Sequence, residues 1–182
     1  MDEPNERYSY TAMGLHWLLA LALLCTFCVG LYMADLKLSL LRIRLFNWHK
    51  WAGISILLLS GLRLAWRWSH RPPPVPAQMD RLKKLAAEWV HRLLYLFFFL
   101  VPLAGWAYSN AAGFPVVWFG QLPLPDLVGK NKELADILQD VHAALAFGLA
   151  GLAVLHVGAA LHHHFILRDG LITRMLPLRR RS

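Results

Sequence analysis

The stretch that decides the fold is Val141–Leu167, which reads VHAALAFGLAGLAVLHVGAALHHHFIL. It contains no Asp, Glu, Lys or Arg, and histidine is its only strongly polar residue type. A bilayer core about 30 Å thick is crossed by about 20 consecutive apolar residues in a helix. This stretch therefore predicts a transmembrane helix that carries histidines at membrane depth.

Three further stretches have the length and composition of membrane spans: Gly14–Met33, Trp48–Trp68 and Trp89–Ser109. Apolar residues make up 57% of the chain and charged residues 16%, against about 25% charged in ordinary soluble domains. This composition excludes a disordered chain, and two cysteines are too few for a disulfide scaffold. We expect one all-α domain over residues 1–182, a four-helix transmembrane bundle with spans near 14–33, 48–68, 89–109 and 141–167.

The net charge of +8 is compatible either with nucleic-acid binding or with basic cytoplasmic loops of a membrane protein. Lys and Arg concentrate at the C-terminus and in the connection between the second and third spans, and Arg7 adds one positive charge at the N-terminus. By the positive-inside rule, both termini and this connection are predicted to be cytoplasmic, in a multi-pass membrane protein. Arg179–Arg181 then reads as a topology signal facing anionic lipid, and no nucleic-acid partner is expected.

Histidine spacing is the main functional signal. His142 and His156 lie 14 residues apart, so they turn through about 1400°, nearly four whole turns, over a rise of about 21 Å. Both imidazoles therefore face the same way at two depths. His16, near the inner end of the first span, matches the depth of His156, and His49, near the outer end of the second, matches that of His142. A lone histidine in a span is usually a hydrogen-bonded packing residue, but several together indicate function.

Two histidines facing each other at each of two levels favour two haems b with bis-histidine ligation, His16 with His156 and His49 with His142. Zinc is less favoured, because it usually takes four ligands and neither level offers a cysteine or a carboxylate. Cys25 is predicted to be a small packing residue, and no Cys-x-x-Cys-His attachment motif is present.

The same spacing of 14 residues recurs on the first two spans. Gly30 follows His16 by this interval and is predicted to leave room for a porphyrin at the outer level. Arg63 follows His49 by this interval, at the inner level. We expect it either to pair with a haem propionate or to extend to the cytoplasmic interface.

Family motifs run through nearly the whole chain: Arg7-Tyr8-Ser9, His16-Trp17, His49 with Gly53, His91 with Tyr95 and Pro102, and His142 and His156 followed by His163-His164. Together they resemble the bacterial cytochrome b561 family. Within that family the chain is most similar to the stand-alone di-haem superoxide oxidases, in particular around Gly53–Leu57 and His162–Asp169.

The resemblance implies an oxidoreductase that oxidises superoxide to oxygen at the periplasmic face and reduces ubiquinone near the cytoplasmic face. It implies haem iron as the resident metal and a quinone site near the start of the third helix and the end of the fourth. By position, this site would involve His91, His163 and His164. His163 and His164 either form hydrogen bonds to the quinone or are simply polar residues at the membrane interface.

Basic residues also mark the first outer connection, where Lys37, Arg42 and Arg44 stand against one aspartate. Such a cationic surface would raise the encounter rate of a small anion such as superoxide. The alternative is that nearby acids neutralise these charges; the candidates are Asp126, Glu133, Asp136 and Asp140.

Two other functions compete with a stand-alone enzyme. One is the electron-transfer anchor subunit of a hydrogenase or a formate dehydrogenase-like complex, and the other is a non-catalytic haem carrier. An anchor is expected to have extra helices or long extensions, whereas this chain shows four spans and short ends. We therefore expect no obligatory protein partner; the partners are superoxide, ubiquinone and membrane lipid.

Overall fold

The computed structural model describes residues 7–70, 72–74 and 80–176. Within this part of the chain the dominant elements are four long helices: α1 (Tyr10–Ala34), α2 (Leu40–Ser69), α3 (Arg81–Ala111) and α4 (Lys132–His162). Each predicted span overlaps one of them, and α1 packs on α2, α2 on α3, and α3 on α4. The all-α bundle is confirmed. Arg179–Arg181 and most of the Pro-rich connection lie outside the described residues.

Three of the four described helices are long and apolar enough to cross a membrane: α1, α3, and α4 together with its extension to Leu167. α2 is equally long, but its five basic residues lower its hydropathy. Two of them, Arg63 and Lys50, are half-buried against neighbouring helices and loops. The chain is therefore an integral membrane protein by composition. Because α2 packs between α1 and α3, we propose that it crosses the membrane as well.

Side-chain caps set where the helices begin. The Ser9 hydroxyl accepts a hydrogen bond from the Ala12 backbone N–H, and Ser39 and Asn131 cap α2 and α4 in the same way. Capping by Asn131 starts α4 earlier than the apolar pattern suggests. The connection between the third and fourth helices is correspondingly shorter than the gap between the predicted spans, because residues 110–111 belong to α3 and residues 132–139 to α4.

The connection between α3 and α4 contains a short antiparallel hairpin, β1 (Val117–Trp118) and β2 (Leu122–Pro123). Its end of the bundle is called the outer end below, after the predicted orientation, and the opposite end the inner end. The hairpin is fastened to α2 by two indole N–H groups. Trp51 donates to the Val117 carbonyl at 2.7 Å, and Trp118 donates to the Ser55 hydroxyl at 3.3 Å. The hairpin therefore covers the outer end of α2, within two turns of His49.

The hydrophobic core lies midway along the bundle. Ile56, Phe98 and Leu149 are buried in one cluster. Ile56 is seven residues beyond His49, and Leu149 is seven residues from both His142 and His156. Seven residues are nearly two helical turns, about 10 Å. An apolar layer therefore separates the outer histidine level from the inner one.

Candidate cofactor sites

The outer level is formed by His49 on α2 and His142 on α4, whose ring centroids are 6.0 Å apart at an interplanar angle of 84°. The Nδ1 of His142 lies 2.9 Å from the Val101 carbonyl oxygen of α3. Because a carbonyl only accepts, Nδ1 carries the proton and Nε2 keeps its lone pair. A histidine held in this way has the tautomer required of a metal ligand.

Two glycines admit these two rings. A Cβ at Gly30 would lie 3.1 Å from Cε1 of His49, and a Cβ at Gly105 would lie 2.8 Å from Cε1 of His142. Gly30 is therefore at the outer level, as its spacing predicts. The space beside Gly30 holds the His49 imidazole, and the room predicted there for a porphyrin stays a prediction. Helix α3 contributes the equivalent gap through Gly105.

The inner level contains three histidines. His16 of α1 faces His156 of α4 with ring centroids 6.2 Å apart and an interplanar angle of 65°. His91 of α3 lies closer still to His156, at 5.2 Å. All three are partly buried. The pairing of His16 with His156 is as the spacing predicts, and His91 lies directly against this pair.

Arg63 reaches the same level from α2. Its Nη2 donates to Nδ1 of His16 at 2.9 Å, and its guanidinium carbon lies 5.5 Å from the centre of the Tyr95 ring. The guanidinium of Arg67 lies 6.0 Å from that ring as well. Arg63 therefore turns into the bundle instead of extending to the interface, and the Tyr95 face is its described electrostatic partner.

The two facing pairs fit haem iron. A metal–imidazole bond is about 2.0 Å, so two imidazoles on opposite sides of one ion have ring centroids about 6 Å apart. The observed separations are 6.0 and 6.2 Å. Both pairs are all-nitrogen donor sets set in an apolar bundle, which suits the bis-histidine ligation of a b-type cytochrome. The outer pair therefore fits this cofactor in spacing and in tautomer. The inner pair fits it in spacing, and binding of iron by Nε2 of His16 requires release of the Arg63 hydrogen bond, because Nδ1 must then carry the ring proton.

The inner end of α4 separates the histidines predicted for the quinone end. The Nδ1 of His163 is hydrogen-bonded to the Asp169 carboxylate. His164 instead lines an open surface cleft of about 340 Å³ together with Arg168 and Thr173. Among the described residues no hydrogen bond or ring contact joins His163 to His91. The structure thus brings His91 to the inner level and leaves His163 two turns further inward.

The predicted superoxide-steering residues lie at the start of α2. Arg42 is half-buried, with its guanidinium carbon 5.5 Å from the centre of the Phe46 ring. Arg44 is exposed. Lys50, next to His49, donates from Nζ to the Pro115 carbonyl at 3.3 Å. Cations therefore line the outer end of α2 up to the outer histidine pair.

Several site residues escaped the sequence analysis. Gly105 had a usable signal, since it follows His91 by the same 14 residues that separate the other pairs. Tyr95 and Asp169 stand within the motifs that carry the family resemblance, but their contacts had no signal in the sequence, and neither had the Val101 carbonyl, because the partners belong to other helices or to a turn.

One family model and several known proteins match this chain over nearly its whole length. The family model described as "Prokaryotic cytochrome b561" matches residues 7–178. "Cytochrome b561 homolog 2" of Escherichia coli (strain K12) is 34% identical over 94% of this chain and 92% of its own length. "Probable superoxide oxidase CybB" of Yersinia pestis is 29% identical over 97% of this chain and 99% of its own. "Cytochrome b561 homolog 1" of Escherichia coli (strain K12) is 30% identical over 96% and 99%. The chain therefore belongs to the prokaryotic cytochrome b561 family of haem b membrane proteins.

Proposed function

We propose that this chain is a superoxide:ubiquinone oxidoreductase of the bacterial inner membrane, with four spans and both termini in the cytoplasm. The observation that carries the proposal is the pair of facing imidazole couples at opposite ends of the bundle, with ring centroids 6.0 and 6.2 Å apart. Haem bound at both couples supplies two one-electron carriers at different depths. A bis-histidine iron has no open position, which favours electron transfer over oxygen binding.

The balance of the proposed reaction is two superoxide anions for one quinone. Each superoxide loses one electron and leaves as oxygen at the outer face. Two electrons and two protons convert one ubiquinone to ubiquinol at the inner face, and the protons come from the cytoplasm. The relative from Yersinia pestis, which is named a probable superoxide oxidase, supports this choice of substrate.

At the outer face, the chain's own task is to attract a small anion. Lys37, Arg42 and Arg44 supply positive charge where α2 begins. Two acids that were candidates to neutralise them are engaged elsewhere. Asp126 accepts a hydrogen bond from the Asn110 side chain, and Asp136 pairs with Lys132 at 2.8 Å. Of these two acids, only Asp136 has a described cationic partner; steering by the basic charge remains the proposed role, which Asp126, Glu133 and Asp140 would oppose.

At the inner face, the proposed task is to bind a quinone headgroup and supply protons. His163 follows His156 by seven residues, which places it on the same face of α4 about 10 Å further inward. His91 contacts His156 from α3 at 5.2 Å. A headgroup held between His91 and His163 lies beside the inner histidine pair. His164, about 100° further round the helix, lies off this face.

The test uses the purified protein in detergent or in vesicles. A haem count by acid–acetone extraction is expected to give two noncovalent haems b per chain. Superoxide is then supplied enzymatically, with haem reduction and ubiquinol formation followed by absorbance. One haem per chain, or no ubiquinol formed while superoxide reduces the haem, would contradict the proposal.

Variants at the inner end locate the quinone step. His91→Ala and His163→Ala are expected to retain both haems and superoxide-driven haem reduction, but to slow the oxidation of prereduced haem by added ubiquinone. His162→Ala, a neighbouring histidine outside the proposed site, is the matched control. Reoxidation at the parent rate in both site variants would place the quinone elsewhere.

A further inference from the structure

The chain reverses direction just after α4. A π-helical turn, His163–Leu167, ends at Arg168, which has a positive φ of 52°. Gly170 follows with φ 73°, a conformation that costs a glycine little. This sharp turn brings Asp169 back onto the turn that it follows.

Asp169 contacts His163 within this turn. Its Oδ2 is hydrogen-bonded to Nδ1 of His163, and its Oδ1 accepts from the Leu171 backbone N–H at 3.1 Å. The two side chains are 18% and 25% exposed, so the pair is largely shielded but still reachable by water. Both carboxylate oxygens are thus engaged, and the orientation of the carboxylate is determined by the turn.

The charge state of Asp169 suits this contact. Burial by itself would raise the pKa of Asp169, but the hydrogen bonds from His163 and from the Leu171 N–H outweigh burial and lower it. The carboxylate is therefore ionised at neutral pH. Because an ionised carboxylate only accepts, Nδ1 of His163 carries a proton and the exchangeable position of the ring is Nε2.

The segment that carries Asp169 is anchored at its other end as well. The Trp17 indole donates to the Met175 carbonyl at 2.8 Å, and the Tyr8 N–H donates to the Arg174 carbonyl at 3.2 Å. This C-terminal segment, residues 169–176, therefore lies against the inner end of α1. The position of Asp169 is therefore set by the turn before it and by the anchored segment after it. Asp169 can for this reason orient the His163 side chain instead of adjusting to it.

We propose that Asp169 is the positioning residue for His163 in quinone reduction: it holds the Nδ1–H of His163 and leaves Nε2 to exchange a proton with the quinone oxygen. The proposal rests on the proposed function. In the step it assigns, the N–H bond at Nε2 of protonated His163 breaks and an O–H bond forms on the reduced quinone. Water at the inner face then returns a proton to Nε2. Partners that fix the tautomer and orientation of metal-ligating histidines contribute about 10- to 100-fold to metal affinity or activity. We expect an effect of about this size on quinone reduction through His163.

The experiment compares Asp169→Asn, Asp169→Glu and the control Asp136→Asn in the haem-loaded protein. Asp136 also pairs with a cationic side chain, Lys132, but at the outer end. Asp169→Asn is expected to keep both haems and the rate of haem reduction by superoxide, and to slow reoxidation by ubiquinone about 10- to 100-fold. Asp169→Glu should recover part of the rate, and Asp136→Asn should match the parent.

A second readout separates positioning from a general weakening of the turn. In ¹⁵N-histidine-labelled protein, the His163 signals, assigned through their loss in His163→Gln, should show protonated Nδ1 in the parent and a shifted tautomer balance in Asp169→Asn. Parent-like tautomer and reoxidation rate in Asp169→Asn would overturn the proposal. Should the parent itself fail to reduce quinone, the proposed function falls. A His163 tautomer that does not depend on Asp169 overturns the positioning role by itself.

Discussion

The substitution Gly105→Ala tests the outer histidine pair most directly. The added methyl carbon would lie 2.8 Å from Cε1 of His142, whereas ordinary carbon–carbon contacts are about 3.5–4.0 Å. The ring must therefore retreat by about 0.7 Å to relieve the overlap. Its Nδ1 is held 2.9 Å from the Val101 carbonyl, one turn before Gly105 on the same helix, so the ring cannot retreat without weakening that hydrogen bond.

The magnitude follows from this overlap. Overpacking a well-filled site costs about 1–3 kcal/mol, which corresponds to about 5- to 150-fold weaker haem binding at the outer level. Gly30→Ala should have a smaller effect in the same direction, because its methyl would approach His49 to 3.1 Å. The expected result is a protein that loses its outer haem first when it is titrated with a haem-binding competitor.

Two other glycines on α4 provide matched controls. A Cβ at Gly148 would lie 2.8 Å from Cε1 of Phe97, the same overlap with a ring that binds no metal, and a Cβ at Gly151 would meet nothing within 4 Å. Gly148→Ala should lower the thermal stability and keep two haems. Gly151→Ala should change neither the thermal stability nor the haem content. Loss of the outer haem from Gly105→Ala at the same competitor concentration as from the parent would refute the assignment of His142 as an outer ligand.

The remaining predictions concern the ligands, the outer charges and the C-terminal segment. His142→Ala should remove the outer haem and His156→Ala the inner one, as resolved by redox titration; loss of the same haem in both would show that the depth pairing is wrong. Arg42→Glu combined with Arg44→Glu should slow haem reduction by superoxide, and raising the salt concentration should do the same, since charges are screened over about 10 Å at 0.1 M. The control double substitution at the inner face, Lys83→Glu with Lys84→Glu, should leave this rate unchanged. Equal rates in the two double variants would exclude steering. Because the pKa of Asp169 is lowered, its stabilising contact is complete above the ordinary aspartate pKa and is lost only as the pH falls through the lowered value. Hydrogen-exchange protection of residues 170–176 should therefore be equal at pH 7 and pH 5, and a loss already at pH 5 would contradict this.

The sequence by itself determined the helical bundle and the two depths of its polar residues. Helix geometry relates sequence separation directly to angle and rise, so an interval of 14 residues specifies a shared face and a distance of about 21 Å without knowledge of neighbours. His142 and His156 on α4 could therefore be assigned to two levels from spacing alone. The same rule would have found Gly105 from His91.

Only the tertiary structure decided which side chains meet across helices. That His91 contacts His156, and that Arg63 donates to His16, depends on how each helix is rotated toward its neighbours. Packing against other helices sets this rotation, and no interval within one helix encodes it. The pairing of His163 with Asp169 depends instead on a reversal of the backbone at Arg168. The positive φ of this residue could not be predicted, because arginine has no preference for that conformation. The spacing of residues within a helix is a local property that the sequence determines. The rotation of each helix and the reversal of the chain depend on the packing of the whole bundle.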